Sequence, residues 1–212
     1  MKPSSRRSSA PNQRRPKRRS SNAAPRLVVG LGNPGKEYAA TRHNAGYMVV
    51  EEVARRYGVS KWKKKDGAEQ ALDSMRRVVF VKPTSFMNLS GAPVRLISSW
   101  YRTPPAEILV VVDEMDLPFG TLRMRPFGGH GGHNGLRSII ATIGEGYPRL
   151  RVGVGRPKGE DAIDHVLAPF DAGEKQRWRS IVDAAADGVE LWLNQGLDSA
   201  MNFSNTWEEP KT

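Results

Sequence analysis

The sequence predicts an α/β fold: a single three-layer domain with a mixed, mostly parallel central sheet flanked by helices. Three observations lead there. Leu27–Val29, Val78–Val81 and Ile108–Val112 are short β-branched runs without polar alternation, the composition of strands buried on both faces. Between and after them, residues 44–57, 90–101 and 134–143 carry apolar residues at helical spacing. Strands alternating with helices build a sheet from parallel crossover units. A chain of 212 residues suits one domain, here placed at 27–205, and it holds no internal repeat.

The first strand breaks into Gly32-Asn33-Pro34-Gly35, a loop at a sheet edge. Asn44 to Tyr57 follows as a helix with Ala45, Met48, Val49 and Val53 on its apolar side, ended by Gly58. Lys61-Trp62-Lys63-Lys64-Lys65 reads as a solvated turn, or as a phosphate-contacting patch. Val78–Val81 stops at Pro83. Ser90 is then placed to cap a helix running to Tyr101, whose apolar side is Val94, Ile97 and Trp100 or Tyr101. Pro104-Pro105 breaks the chain before Ile108–Val112, which ends in Asp113-Glu114-Met115-Asp116. Thr121–Arg125 is a short strand entering the glycine loop 128–135, and Leu136, Ile139, Ile140 and Ile143 mark the next helix. Arg149–Gly155 is a strand. Asp171 and Glu174 have capping-box spacing ahead of a long helix faced by Trp178, Ile181, Val182, Ala185, Val189 and Trp192.

Composition separates a tail from this domain. The formal charge is +11 and the pI about 10.2, yet nine basic residues and no acid lie in residues 1–26, leaving +2 for 27–212. Residues 1–26, rich in Ser, Arg and Pro, bury too little to offset ordering entropy and are expected to be a disordered basic tail. A transit peptide, which is Arg- and Ser-rich and acid-poor, and a polybasic arm for nucleic acid compete there with an inert terminus. Residues 206–212 are taken as a C-terminal tail. No apolar run approaches a membrane span, and there is no secretory leader. With zero cysteines the chain has no disulfide, thiolate nucleophile or Cys-ligated metal.

Gly30-x-Gly32-x-x-Gly35 matches the dinucleotide fingerprint in letters only. The fingerprint's last glycine opens a helix, whereas Pro34 precedes Gly35 and the next helix begins about ten residues later. His43, Asp113, Asn33, His133 and Asn134 all lie just past a strand or at the start of a helix, where sheets of this class present chemistry. A histidine beside a carboxylate can activate water, the carboxylate fixing its tautomer and stabilising the imidazolium. Spacing alone leaves open whether His43 and Asp113 meet or His43 is merely bonded within a loop. No cysteine and no Gly-x-Ser-x-Gly elbow are present, which favours direct attack by water. His130-x-x-His133 in a glycine loop is a poor metal site. The glycines suit close approach of backbone N–H groups to an anion or carbonyl. Arg123, Arg125, Arg149 and Arg151 flank that loop, either as a solvated charged edge or as contacts for a phosphate-bearing substrate.

Four motifs then carry a resemblance: Gly32-Asn33-Pro34-Gly35-x-x-Tyr38-x-x-Thr41-Arg42-His43-Asn44, Phe86-Met87-Asn88-Leu89-Ser90-Gly91, Asp113-Glu114-Met115-Asp116-Leu117-Pro118-x-Gly120, and the glycine loop Gly128–Gly135. In order and spacing, over residues 27–205, the chain resembles the bacterial-type peptidyl-tRNA hydrolases. Asp116–Gly120 and Tyr147–Gly153 look most like the plant organellar branch. The resemblance implies hydrolysis of the ester joining peptide to tRNA, a step of translation that recycles tRNA, by a metal-independent, tRNA-binding monomer without cofactor. It makes His43 the base, Asp113 its orienting carboxylate, and Asn33 a ligand of the substrate carbonyl or of His43. Asn88 and Asn134 would bind the peptide backbone and developing oxyanion, Tyr38 and His133 would line the cleft, and Arg125 and Arg151 would clamp the tRNA 5′-phosphate. A lysine is commoner at the position of Arg125.

Against the family pattern, Lys61–Arg77 is short, which suggests a trimmed edge hairpin, and the stretch before Arg149 is slightly short. The same plant branch contains chloroplast group II intron splicing factors, which bind an organellar splicing-complex protein and need no hydrolysis. Gly131-Gly132-His133 follows the enzyme-like form of the loop. The expected location is therefore the chloroplast, with mitochondrion or cytoplasm as alternatives, and the expected partner is peptidyl-tRNA.

Overall fold

The computed structural model describes residues 23–156, 159 and 161–209. Its centre is a seven-stranded sheet. In chain order the strands are β1 (Arg26–Gly30), β2 (Lys63–Lys65), β3 (Ala68–Asp73), β4 (Val78–Pro83), β5 (Ile108–Glu114), β6 (Leu122–Arg125) and β7 (Arg149–Gly153). Their spatial order is β2-β3-β4-β1-β5-β7-β6. The middle four are parallel, and antiparallel pairs close both edges.

Both faces of the central strands are buried, which is why they read as unbroken apolar runs. Val28, Phe80, Leu109 and Val111 pack under helices α1 (Ala45–Arg56) and α5 (Ala172–Gln195). Leu27, Val29, Val79, Val81, Val110 and Val112 face α2 (Gly91–Tyr101) and α3 (Asn134–Ile143). The helix after β1 thus covers one face and the helix after the adjacent β4 covers the other. Such a reversal opens a crevice at the carboxyl ends of the strands. A pocket of about 410 Å³ lies there, lined by Asn33, Asn44, Tyr47, Lys82 and Thr84 among others. α1 reaches the strands only because Gly46 lacks a side chain: a Cβ there would lie 2.4 Å from Leu31 N and from Val111 O.

Several sequence expectations need correction. The domain begins before residue 27. Arg26 opens β1, its Nε donates to Glu107 at 2.6 Å, and its Nη1 donates to the carbonyls of Trp192 and Leu193. The Pro25 carbonyl accepts from the Thr103 hydroxyl. Residues 1–22 of the expected tail lie outside the described residues. At the other end α6 (Leu197–Thr206) includes Thr206, and Glu209 pairs with Arg177, so 206–209 are not a tail. Lys63–Lys65 is not a turn. It is edge strand β2 of the expected short hairpin, ruled into register by Gln70, Glu69 and Ala68. Ser90 makes no side-chain cap of α2; its hydroxyl instead donates to the Met87 carbonyl at 2.9 Å. Of the two aromatics at the end of α2, Tyr101 packs on the core and Trp100 is exposed. The capping box of Asp171 and Glu174 is present, and α4 (Ala162–Leu167) and α6 add to the elements read from sequence.

Candidate active site

The site gathers at the ends of β1 and β5. His43 sits in a 3-10 turn, Arg42–Asn44, between β1 and α1. Its neighbours hold that turn from both sides. Arg42 is buried and donates to the carbonyls of His165 and Pro169 and, at 2.6 Å, to Glu174 Oε2. Asn44 accepts from the Asn33 amide at 2.8 Å and returns a bond to the Asn33 carbonyl at 3.0 Å. The turn therefore points one imidazole at one place, the carboxylate of Asp113.

His43 Nδ1 lies 2.9 Å from Asp113 Oδ2 and 3.1 Å from Oδ1. Asp113 is buried. Burial alone would raise its pKa, but the two adjacent histidines hold the carboxyl well below the usual carboxylate range. An ionised carboxylate only accepts, so Nδ1 carries the His43 proton and Nε2 keeps its lone pair. Nε2 has no partner among the described residues. Burial pulls the His43 pKa down, and the Asp113 charge and hydrogen bond outweigh it, leaving it above 6.5.

His133 approaches the same carboxylate from the opposite loop and in the opposite tautomer. It is the N-cap of α3, with Nδ1 accepting from the amides of Gly135 at 3.1 Å and Leu136 at 3.3 Å. Its proton therefore lies on Nε2, which donates to Asp113 Oδ1 at 3.1 Å. The two rings stand 5.0 Å apart. His43, Asp113 and His133 bring ligand atoms within 4.8 Å of one another, spacing that a metal could bridge. The tautomer opposes it: a metal at His133 Nε2 would move the proton to Nδ1, against two amide N–H groups. The arrangement is a hydrogen-bonded triad with one free basic nitrogen.

The other expected residues divide. Asn33 does not bond His43. Its Oδ1 accepts from the Met87 amide at 2.9 Å, leaving the Nδ2 group without a described partner at the crevice. Asn88, in the 3-10 turn Met87–Leu89 ahead of α2, and Asn134, the first residue of α3 after His133, are exposed, Asn134 accepting from Arg137 at 2.9 Å. Tyr38 is half-buried in the loop before His43. His130 is not among the groups that meet at Asp113, and its Nδ1 accepts from the Gly132 amide at 3.0 Å.

The four arginines share one face of the β6–β7 edge, since Arg123 pairs with Arg151 and Arg125 with Arg149 across the strands. They are not equivalent. Arg125 is exposed and has no ion-pair partner among the described residues. Arg151 pairs with Glu114 at 3.0 Å and donates to the Gly129 carbonyl at 3.3 Å. Arg149 is fully buried and donates to the carbonyls of Gly128, Gly129, Glu145 and Tyr147, so it is no anion contact. It fastens the glycine loop that carries His133. Sequence reasoning missed this role and those of Arg42 and Asn44. An arginine alternating with Leu150 and Val152 in a buried strand was the available signal for the first.

Known proteins resemble the chain over most of its length. The family model described as "Peptidyl-tRNA hydrolase" matches residues 27–212. A peptidyl-tRNA hydrolase of Nocardia farcinica is 50% identical over 183 residues, which cover 84% of this chain and 95% of that protein. One from Synechococcus sp. strain JA-3-3Ab is 47% identical, over 84% of this chain and 82% of its own. A crystal structure of the peptidyl-tRNA hydrolase of Acinetobacter baumannii superposes with a TM-score of 0.83 at 37% identity, covering 90% of this chain and 100% of that one. On these matches and on the fold they share, the chain belongs to the peptidyl-tRNA hydrolase family.

Proposed function

We propose that the chain hydrolyses peptidyl-tRNA, and that one observation carries the reading: His43 offers an unpaired Nε2 while buried Asp113 holds its Nδ1 proton. Water gives a proton to Nε2 as its oxygen bonds the ester carbonyl carbon. The Asp113 charge stabilises the imidazolium. The tetrahedral adduct collapses, the bond to the ribose oxygen breaks, and that oxygen takes the proton from His43. The products are tRNA with a free hydroxyl and a peptide carboxylic acid, which loses its proton to solvent to become the carboxylate. Asn33 Nδ2 binds the carbonyl, Asn88 and Asn134 the peptide backbone and oxyanion, and Tyr38 and His133 shape the cleft. Arg125 binds the 5′-phosphate, with Arg151 joining once a phosphate competes for its bond to Glu114.

The test is release of tRNA from an N-blocked aminoacyl-tRNA by the purified chain. Turnover is expected, and Arg125→Ala should raise KM on this substrate by about 1–3 kcal/mol in apparent binding, while sparing a short ester without a 5′-phosphate. No turnover by the unaltered chain would sink the reading. The splicing-factor alternative has no observation in its favour. We extend the proposal to a chloroplast enzyme of the plant organellar branch, acting as a monomer. Support comes from the acid-free Arg/Ser tail and the wording of Asp116–Gly120 and Tyr147–Gly153. Residues 1–26 fused to a fluorescent protein would reach the plastid if this is right; mitochondrial or cytoplasmic signal would reject it.

A further inference from the structure

A line of exposed apolar side chains leads away from the triad. Phe86 and Leu89 flank Asn88, and Leu96 and Trp100 continue along α2; they are 60%, 56%, 57% and 70% exposed. Leu96 and Trp100 are four residues apart, about one turn at ~3.6 residues each, so they share one side of α2, and Leu89 stands in the 3-10 turn Met87–Leu89 just before that helix. α2 buries Val94 and Ile97 elsewhere. The line starts at the reacting groups, because the Met87 amide donates to Asn33 Oδ1 and Met87 Sδ lies against Gly135 beside His133. It ends near β2, where Lys65 Nζ stands 4.3 Å from the Trp100 ring.

We propose that this line is an exosite for the peptide half of the substrate, extending the cleft by several residues; the proposal rests on the hydrolase reading. The sheet order supplies the direction. Arg125 and Arg151 lie on β6 and β7, on one side of β5, and α2 follows β4 on the other. With the tRNA drawn to the arginine edge and the ester at His43, the acyl chain leaves toward Asn88, Leu89 and α2. The chemistry also fits a peptide. Apolar contact tolerates any sequence, as a general recycling enzyme requires. Single-stranded RNA needs successive stacking platforms. Here Leu89 and Leu96 separate the two aromatics, and Lys65 already covers one face of Trp100.

α2 has 11 residues. It spans about 16 Å, which an extended peptide covers in about five residues. KM should therefore fall as apolar residues are added to the ester-linked amino acid, on the order of tenfold by about five residues, and then level off. The experiment compares N-blocked aminoacyl-tRNA with peptidyl-tRNA carrying five apolar residues, using the full chain and the double variant Leu96→Ser, Trp100→Ser. Both positions are exposed, so the variant should melt with the parent. It should keep kcat and KM on the short substrate and lose the gain from length. The proposal is overturned if the variant keeps that gain. It is equally overturned if KM rises alike on both substrates with weaker binding of deacylated tRNA, which would assign the line to RNA. If the unaltered chain turns over neither substrate, the hydrolase reading fails and takes the exosite with it.

Discussion

Two arms bring a histidine to Asp113, and they are held by different forces. The first, from Gly30 through His43 into α1, is packed: Cβ atoms at Gly30 and Gly46 would lie 2.3 Å and 2.4 Å from backbone atoms of the other segment. The second, Gly128 to His133, is open: Cβ atoms at Gly128, Gly129, Gly131 and Gly132 would meet nothing within 4 Å. It is fixed instead by hydrogen bonds, from the Arg149 and Arg151 guanidiniums to its carbonyls and from the first amides of α3 to His133 Nδ1. The base thus stands on an incompressible support, while its counterpart stands on a tethered loop. The difference implies that chemistry depends on the first arm and tolerates change in the second.

The largest effect should come from the packed arm's own product. His43→Ala should lower kcat by about 10²–10⁴-fold with little change in substrate affinity. Asp113→Asn should cost less, and it has a signature of its own. The carboxylate is what raises the His43 pKa against burial. Without that charge burial prevails, so the limb of kcat that rises with deprotonation of the base should move to lower pH. A limb that stays in place would show that Asp113 does not set the ionisation of His43. The double variant should lose far less than the two single losses combined.

Next in size is a change that touches no reacting group. Gly46→Ala places a methyl against Leu31 N and Val111 O, both backbone atoms with no room to withdraw. Overpacking of this kind should destabilise by about 3 kcal/mol or more, a loss of roughly 6–12 °C in Tm. Urea unfolding measures it. Stability within about 1 kcal/mol of the parent would mean that the first arm is no more rigid than the second.

The two arms were also unequally legible. The first is local: a β-branched run, a glycine loop and a helical stripe follow in order, so β1, α1 and the place of His43 between them are readable from the chain. The second depends on atoms that no spacing reports. His130-x-x-His133 does not say that one histidine caps a helix through Nδ1 and gives Asp113 the proton of Nε2. Nor does an arginine beside Leu150 say whether it faces solvent or four carbonyls. The same limit explains the missed elements. α6 has a weak apolar pattern interrupted by Asp198, Asn202 and Asn205, and it is held by packing on β6, where the Asn205 side chain pairs with Met124 N and O. Lys63–Lys65 lacks strand composition and takes its register from β3.

The smallest expected effect tests the open arm. Gly129 does not have a left-handed φ, and a Cβ there meets nothing within 4 Å. Its carbonyl, which accepts from Arg149 at 3.1 Å and Arg151 at 3.3 Å, is unaffected by a side chain on the other side of the Cα. Gly129→Ala should therefore leave the guanidinium bonds intact and restrict only the unfolded chain. Stability should stay level or rise by about 0.4–1 kcal/mol, with kcat and KM unchanged. Equilibrium unfolding and a single progress curve decide it. A loss above about 1 kcal/mol would show that the loop packs in solution. A fall in kcat at undiminished stability would show something different: that the tether must loosen during turnover, and that His133 moves while His43 stays.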